Sequence, residues 1–283
     1  MQRRQFLQTS GLLAAGYMVG PALASAAGPL TGKIRKSLKW SMVQDRSLSL
    51  PETLAKIKTL GYEGIEPRFR EVEPEAVDAW KKARDESGLI IDGLVAVPFD
   101  QLREGVDRIK ELGGSSLLLV VRYDEKKPYK DNWQETQAAI KDAAPYAEKQ
   151  GIQFLIENVW ASFLISPLDM KTYVDEIDSP AVGVHFDIGN VIRWGVAEHW
   201  IEVLGSRIKK LDLKEFDLKV AMNEGLRKGF GMPMGTGSVN WKAVREELVK
   251  LKFSGWAAAE VPGGDFTRLA DVSKQMDEVF ELV

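Results

Sequence analysis

Apolar residues in this chain alternate between two rhythms, a helical period of 3.6 residues and short unbroken runs, with a glycine between them. Leu50, Leu54 and Ile57 recur at i, i+4 and i+7 around a helix-opening Pro51, and beyond Gly61 comes the run Gly64-Ile65-Glu66. Leu102, Val106 and Ile109 repeat the stripe before Gly113 and the run 117–121. The same helix-to-strand turn recurs at Gly88 before 89–95, Gly151 before 154–156, Gly205 before 208–213 and Gly255 before 256–261. With 38–42 and 182–186 the predicted strands number eight. Trp241, Val244, Leu248 and Leu251 make a further helical stripe, and Leu269, Val272, Met276 and Val279 make the last; both are core packing without chemistry.

Strands separated by helices require parallel pairing with right-handed crossovers, and eight such units in about 255 residues predict a single (β/α)8 TIM barrel. An open doubly wound sheet is the alternative. It would carry a glycine-rich phosphate loop after its first strand, where this chain has Trp40-Ser41-Met42-Val43-Gln44.

The first 27 residues stand apart from this rhythm. Arg3-Arg4 followed by Phe6-Leu7, a weakly polar stretch over 11–24 and the small-x-small sequence Ala22-Leu23-Ala24 look like a twin-arginine signal peptide cleaved near Ala24. An ordinary secretory signal or an anchor is the competing interpretation, although fourteen residues are short for a bilayer span. The expected organisation is therefore 1–27 as leader and 28–283 as the barrel, in a periplasmic or otherwise exported protein without stable membrane insertion of its mature part. Losing the leader removes two arginines and no acid, taking the formal charge from −3 to −5, so nothing points to nucleic acid. The absence of cysteine excludes disulfides, thiolate catalysis and cysteine zinc sites, and two histidines exclude any site needing three. Self-association into a homo-oligomer is left open.

Four carboxylates close separate apolar runs: Glu157 in QFLIENVW, Asp187 in VGVHFDIGN, Asp212 in KKLDLKEFD and Glu260 in WAAAEVPGG. A carboxylate on a buried strand is costly unless neutralised, hydrogen-bonded or bound to a cation. In a barrel these strand ends converge on one mouth, so Glu157, Asp187, Asp212 and Glu260 are the candidate ligands of one divalent metal ion. Hard oxygen donors favour Mn²⁺ or Mg²⁺, with Zn²⁺ or Co²⁺ still compatible. His185 shares a strand face with Asp187, as either a substrate group or a hydrogen-bonded core residue. Lys214 shares a face with Asp212, to meet substrate oxygen or to pair with Glu157 or Glu215. Glu66 and Glu215 themselves read as caps or ion-pair partners. Trp160 and Trp194 follow strands five and six, where they could stack on a sugar ring or pack the rim. The long connection 216–234 carries Arg227, Lys228, Gly229 and Gly231 and has the composition of a lid.

Taken in order, LIENVW at 155–160, FDIGN at 186–190, LDLKEFD at 211–217, MGTGSVNW at 234–241 and AAAEV at 257–261 resemble the xylose isomerase-like TIM barrel superfamily, which includes sugar phosphate isomerases and epimerases. The resemblance implies one divalent metal ligated after strands five to eight, at Glu157, Asp187, Asp212 and Glu260. By similarity to the ketose epimerases it also makes Glu157 and Glu260 the catalytic acid/base pair. Two departures stand out: Asn190 occupies a place where epimerases carry histidine at the substrate, and Asp212 replaces a frequent strand-seven histidine. His185, Asn190, Lys214 and Trp160 are accordingly the candidate substrate-binding residues. The implied activity is metal-dependent isomerisation or epimerisation of an unphosphorylated sugar or related hydroxy-carbonyl compound through an enediolate, since export argues against phosphorylated metabolites. A 3-keto-glycoside lyase or hydrolase and a non-catalytic exported sugar-binding barrel are the alternatives.

Overall fold

A computed structural model of the 283-residue chain describes residues 28–159 and 163–283; the expected leader at 1–27 and Trp160 lie outside the described residues. Nine strand segments form the barrel: β1 (Ile34–Leu38), β2 (Gly64–Ile65), β3 (Ile90–Ile91), β4 (Leu94–Val95), β5 (Ser116–Leu119), β6 (Gln153–Glu157), β7 (Val182–Asp187), β8 (Ile208–Leu213) and β9 (Gly255–Ala259). Seven of them make one parallel sheet in the order β1-β9-β8-β7-β6-β5-β4, while β2 pairs with β3. Backbone bonds from Glu63 and Glu66 N–H to Lys36 and Leu38 carbonyls (2.8 and 2.9 Å) join β2 to β1, and a bridge between Arg68 and Val95 joins the β2 extension to β4. The ring is thus a closed (β/α)8 barrel with eight strand positions.

The third position is the broken one. β3 and β4 are two halves of the predicted run 89–95, interrupted at Asp92-Gly93. A Cβ on Gly93 would stand 2.8 Å from Glu66 Oε1 and 2.9 Å from Ser116 Oγ, so only glycine leaves room for the charged groups filling the barrel there. The first strand also departs from expectation, running over Ile34–Leu38 rather than 38–42, with Trp40–Met42 forming a 3-10 turn. The apolar run misplaces it because Lys36, a charged residue on a buried strand, is neutralised from afar: its Nζ lies 2.7 Å from Asp277 Oδ1 and donates to Ser273 Oγ at 2.9 Å, both on the last helix, Phe266–Phe280.

The helices follow their sequence stripes. Helix Leu50–Thr59 starts at Ser49, whose backbone N–H donates to Glu52 Oε2 (2.9 Å), and buries Leu54 and Ile57. Helices Val77–Ser87 and Tyr129–Gln150 end at Gly88 and Gly151 with φ of 64° and 72°, left-handed turns that glycine adopts without strain. Leu269, Val272 and Met276 are fully buried on the last helix; each such side chain contributes about 1.5–3 kcal/mol of burial free energy. The loop after β8 is organised around Glu215, predicted as a cap or ion-pair partner. Its carboxylate accepts from Gly235 N–H (2.8 Å), Val239 N–H (3.1 Å) and Trp241 Nε1 (2.9 Å), closing the helix Leu218–Glu224 and its following turn over the barrel end. No helix among the described residues is long and apolar enough to cross a membrane.

Candidate active site

Register sets the site. β7 and β8 pair Asp187 directly with Asp212, β6 pairs Glu157 with His185, and Glu260 follows β9 immediately. Period-two alternation turns Lys210 and Asp212 inward together while Lys209 stays exposed, and a register shift at Val184/His185 sets them opposite His185 and Asp187. One oxygen from each of Glu157, Asp187, Asp212 and Glu260 lies within 4.8 Å of the others, so four carboxylates from four consecutive strands meet at one point. The strand ends are locked by Asn158, whose side chain accepts from Asp187 N–H (2.8 Å) and donates to Asp187 C=O (2.7 Å), extending the ladder one step beyond β6.

The four acids do not share one environment. Glu157 and Glu260 line a cavity of about 380 Å³ at the mouth, whereas Asp187 and Asp212 are fully buried beneath it. Lys214 places its Nζ 2.7 Å from Asp187 Oδ2 and 2.9 Å from Glu260 Oε2, so it pairs inside the cluster rather than with Glu157 or Glu215. Lys39 and His185 approach Asp212 Oδ1 at 2.8 and 2.9 Å. These contacts lie at ion-pair distance without meeting hydrogen-bond geometry, and Asp212 Oδ2 and His185 Nδ1 have neither an ion pair nor a hydrogen bond. A buried carboxylate oxygen with no donor is an expensive atom that a cation would satisfy.

Electrostatics agree with that deficit. Burial, reinforced by Glu260 and Asp212, pushes Glu157 well above the carboxylate range. Burial likewise raises Asp187 to about 7 against the pull of Lys214. For Asp212 burial is outweighed by His185 and Lys39, which hold it below its ordinary value. Lys214 is desolvated too, but Asp187, Glu260 and Glu157 keep it charged and raise its pKa. Four carboxylates against Lys39 and Lys214 leave a formal excess of two negative charges, and Lys39 is itself shared with Glu66. An all-oxygen donor set with that excess and an orphaned oxygen fits a divalent cation.

The candidate substrate groups separate in the same way. Asn190 is buried and its amide is committed to protein, donating to Glu157 Oε1 (3.3 Å) and the Asn158 carbonyl (3.1 Å), while its N–H donates to Asp187 Oδ1 (2.9 Å). It fixes two of the four carboxylates. His185 is fully buried on the inner side of Asp212, where Glu66, His185 and Asp212 form a second close group. Trp194 is half exposed at the surface. Below the mouth, Glu66 is the ion-pair partner predicted for it: Lys39 Nζ lies 2.6 Å from its Oε2 and Lys210 pairs with its Oε1. Lys210 also pairs with Asp92 at 2.6 Å, and Ser37 Oγ donates to Asp92 at 2.8 Å. Lys39, Asp92, Asn158 and Lys210 escaped sequence reasoning, as did Arg68, Arg70 and Arg122 around the mouth cavity. The available signal was period-two alternation, which puts Lys210, Asp212 and Lys214 in one inward column.

Against known proteins, the family model described as Xylose isomerase-like TIM barrel matches residues 54–281. A curated relative, 3-oxo-isoapionate decarboxylase of Pectobacterium atrosepticum, is 32% identical over 126 residues, a segment that is 43% of this chain and only 42% of that protein. The crystal structure of 3-keto-D-glucoside 4-epimerase from E. coli in its apo form superposes with a TM-score of 0.71 at 12% identity, covering 87% of this chain and 98% of that one. The IOLI protein with a binding zinc atom superposes with a TM-score of 0.70 at 14% identity, covering 87% of this chain and 98% of that one.

Proposed function

The chain belongs to the xylose isomerase-like TIM barrel family, and on that premise we propose that it is a divalent-metal-dependent isomerase or epimerase of an unphosphorylated sugar or related hydroxy-carbonyl compound. One observation carries the proposal: Glu157 and Glu260 face the mouth cavity while Asp187 and Asp212 lie beneath it, all four within ligand distance of one point. A cation held by these four would act as a Lewis acid on a substrate carbonyl and its neighbouring hydroxyl; Mn²⁺ or Mg²⁺ suits the oxygen donors best, with Zn²⁺ or Co²⁺ compatible.

The chain's own groups then divide the work. Glu157, aimed by Asn190 and facing the mouth cavity, takes the proton from the carbon beside the carbonyl. Glu260, on the strand across the cluster and more open to the cavity, returns a proton to the substrate. Lys214 holds Asp187 and Glu260 in place, and Asn158 fixes Asp187 through its backbone. Leu118 and Val120 give the cavity an apolar wall that limits water around the carbanion.

The curated relative's name favours a second reaction at the same atoms. In a 3-oxo acid the bond between the α-carbon and the carboxylate breaks, carbon dioxide leaves, and the electron pair stays conjugated with the 3-oxo carbonyl until a carboxylic acid protonates the carbon. Export directed by the leader within 1–27, with cleavage near Ala24, also belongs to this proposal; N-terminal sequencing of protein recovered from the periplasm tests it, with a start near residue 25 expected.

The reaction is tested in heavy water. Protein reconstituted with Mn²⁺ is expected to place deuterium on the carbon next to the carbonyl of accepted ketoses, and Glu157→Gln is expected to slow exchange by ~10²–10⁴-fold. Turnover that leaves carbon-bound hydrogen unexchanged would rule out proton transfer in favour of a hydride shift. Carbon dioxide release would select decarboxylation.

A further inference from the structure

The mouth cavity carries a second charge pattern that proton transfer does not use. Arg68, Arg70 and Arg122 line it together with Glu157 and Glu260. Arg122 also borders an adjoining apolar cavity of about 380 Å³ walled by Val97 and Phe99. Elsewhere the arginines pair with acids, as Arg35 does with Glu63, Arg207 with Asp175 and Arg245 with Glu281. The three at the mouth have no acidic partner among the described residues.

Their backbones are held by the barrel. Arg68 lies three residues beyond β2, its segment bridged to Val95 and its N–H donated to Glu71 Oε2 at 2.8 Å. Arg122 lies three residues beyond β5. Between them the chain passes Ala96 with φ of 59°, a left-handed conformation that a non-glycine residue adopts at a cost, on the wall of the same cavity. Arg68 is half-buried while Arg70 and Arg122 are exposed at the rim of the concave site, and the fork geometry of their guanidiniums matches an oxyanion.

We infer that the substrate carries a terminal oxyanion held by Arg68, Arg70 and Arg122, with its hydroxy-carbonyl end between Glu157 and Glu260; for an unphosphorylated substrate this makes it a sugar acid. The inference rests on the mouth being the substrate site, and it names the chemical class that site accepts. The polarity is complementary along the cavity: the acids collect at the barrel axis and the arginines at the β2 and β5 side. A neutral sugar leaves the arginines to water, whereas a carboxylate several carbons from the reacting carbonyl gives them a charge-assisted partner.

Binding of D-glucose, D-glucuronate and D-glucose 6-phosphate, which differ only at C6, tests this by calorimetry on the Mn²⁺-loaded protein. Glucuronate is expected to bind at least about tenfold more tightly than glucose, with the gap shrinking at 0.5 M NaCl, as charge-assisted hydrogen bonds of ordinary strength require. The Arg68→Gln/Arg122→Gln protein is expected to lose that gap and keep its melting temperature. Equal binding of glucose and glucuronate by the parent protein, or a gap that survives in the variant, overturns the inference. Tightest binding of glucose 6-phosphate through the same arginines overturns the sugar-acid assignment in favour of a phosphate ester. Arginine-dependent glucuronate binding without deuterium exchange on any substrate would instead leave the oxyanion site standing and remove the isomerase reading.

Discussion

Two groups of buried carboxylates occupy this barrel, one in its interior and one at its mouth, and they differ in how they are neutralised. In the interior, Glu66 and Asp92 are served by Lys210 and Lys39, so each acid has an ammonium at hand. Although burial opposes it, Lys210 and Lys39 hold Glu66 down at about 2. At the mouth, four acids share Lys214 and part of Lys39, and Asp187 is left near 7 with Glu157 higher than its ordinary range. Residue type does not distinguish the two groups; the ratio of cations to carboxylates does. A satisfied cluster serves as packing, and a deficient one is prepared for a cation from outside.

The largest effect that would break this contrast is expected from Lys210→Met. It strands Glu66 and Asp92 in the interior and should destabilise the protein by about 3–5 kcal/mol in urea unfolding. A loss below about 1 kcal/mol would mean that the interior group is no more balanced than the mouth. Asp212→Asn removes charge where there is an excess. Metal affinity, measured by competition with a chelator, should fall by more than the ~10–100-fold that outer partners cost, and because Lys39 and His185 hold Asp212 below its ordinary value, the metal-free protein should lose stability as well. An unchanged affinity would show that the cluster does not bind through Asp212. Asn190→Ala sharpens the comparison further, since it touches Glu157 and Asp187 without changing charge; a ~10–100-fold loss of metal affinity or activity is expected, with the fold intact by circular dichroism.

The smallest effect is in pH dependence. The folded pKa of Glu66 lies below its ordinary 4.5, so its contribution to stability is present above that value and is lost as pH falls from 4.5 to about 2. Asp92, raised by burial, acts in the opposite sense. Replacing Glu66 by Gln should therefore flatten the decline of stability across that window, followed by urea titrations at each pH. A decline as steep as in the parent protein would locate the acid sensitivity at other groups.

Much of the fold was legible because a parallel barrel repeats one simple pattern. The stripes at Leu54/Ile57 and Leu269/Val272/Met276 and the glycine turns are local signals that needed no knowledge of partners. Strand β1 was misplaced because Lys36 is neutralised by Asp277, more than two hundred residues away, a compensation invisible to any local window. The break at Asp92-Gly93 escaped for a related reason, since it makes room for Lys210 and Glu66. At the mouth, the four acids were readable from their place at strand ends. Asn190 was expected to face substrate, but its amide reaches Glu157 and Asn158.

The sequence by itself determined the alternating units, and with them a closed barrel whose strand ends bring Glu157, Asp187, Asp212 and Glu260 to one rim, because strand and helix periods are local properties of the chain. Only the tertiary structure decided which carboxylates are balanced and which are short of positive charge. Neutralisation depends on distances between side chains from different strands, and the registers of β7, β8 and β9, with the inward column of Lys210, Asp212 and Lys214, set those distances.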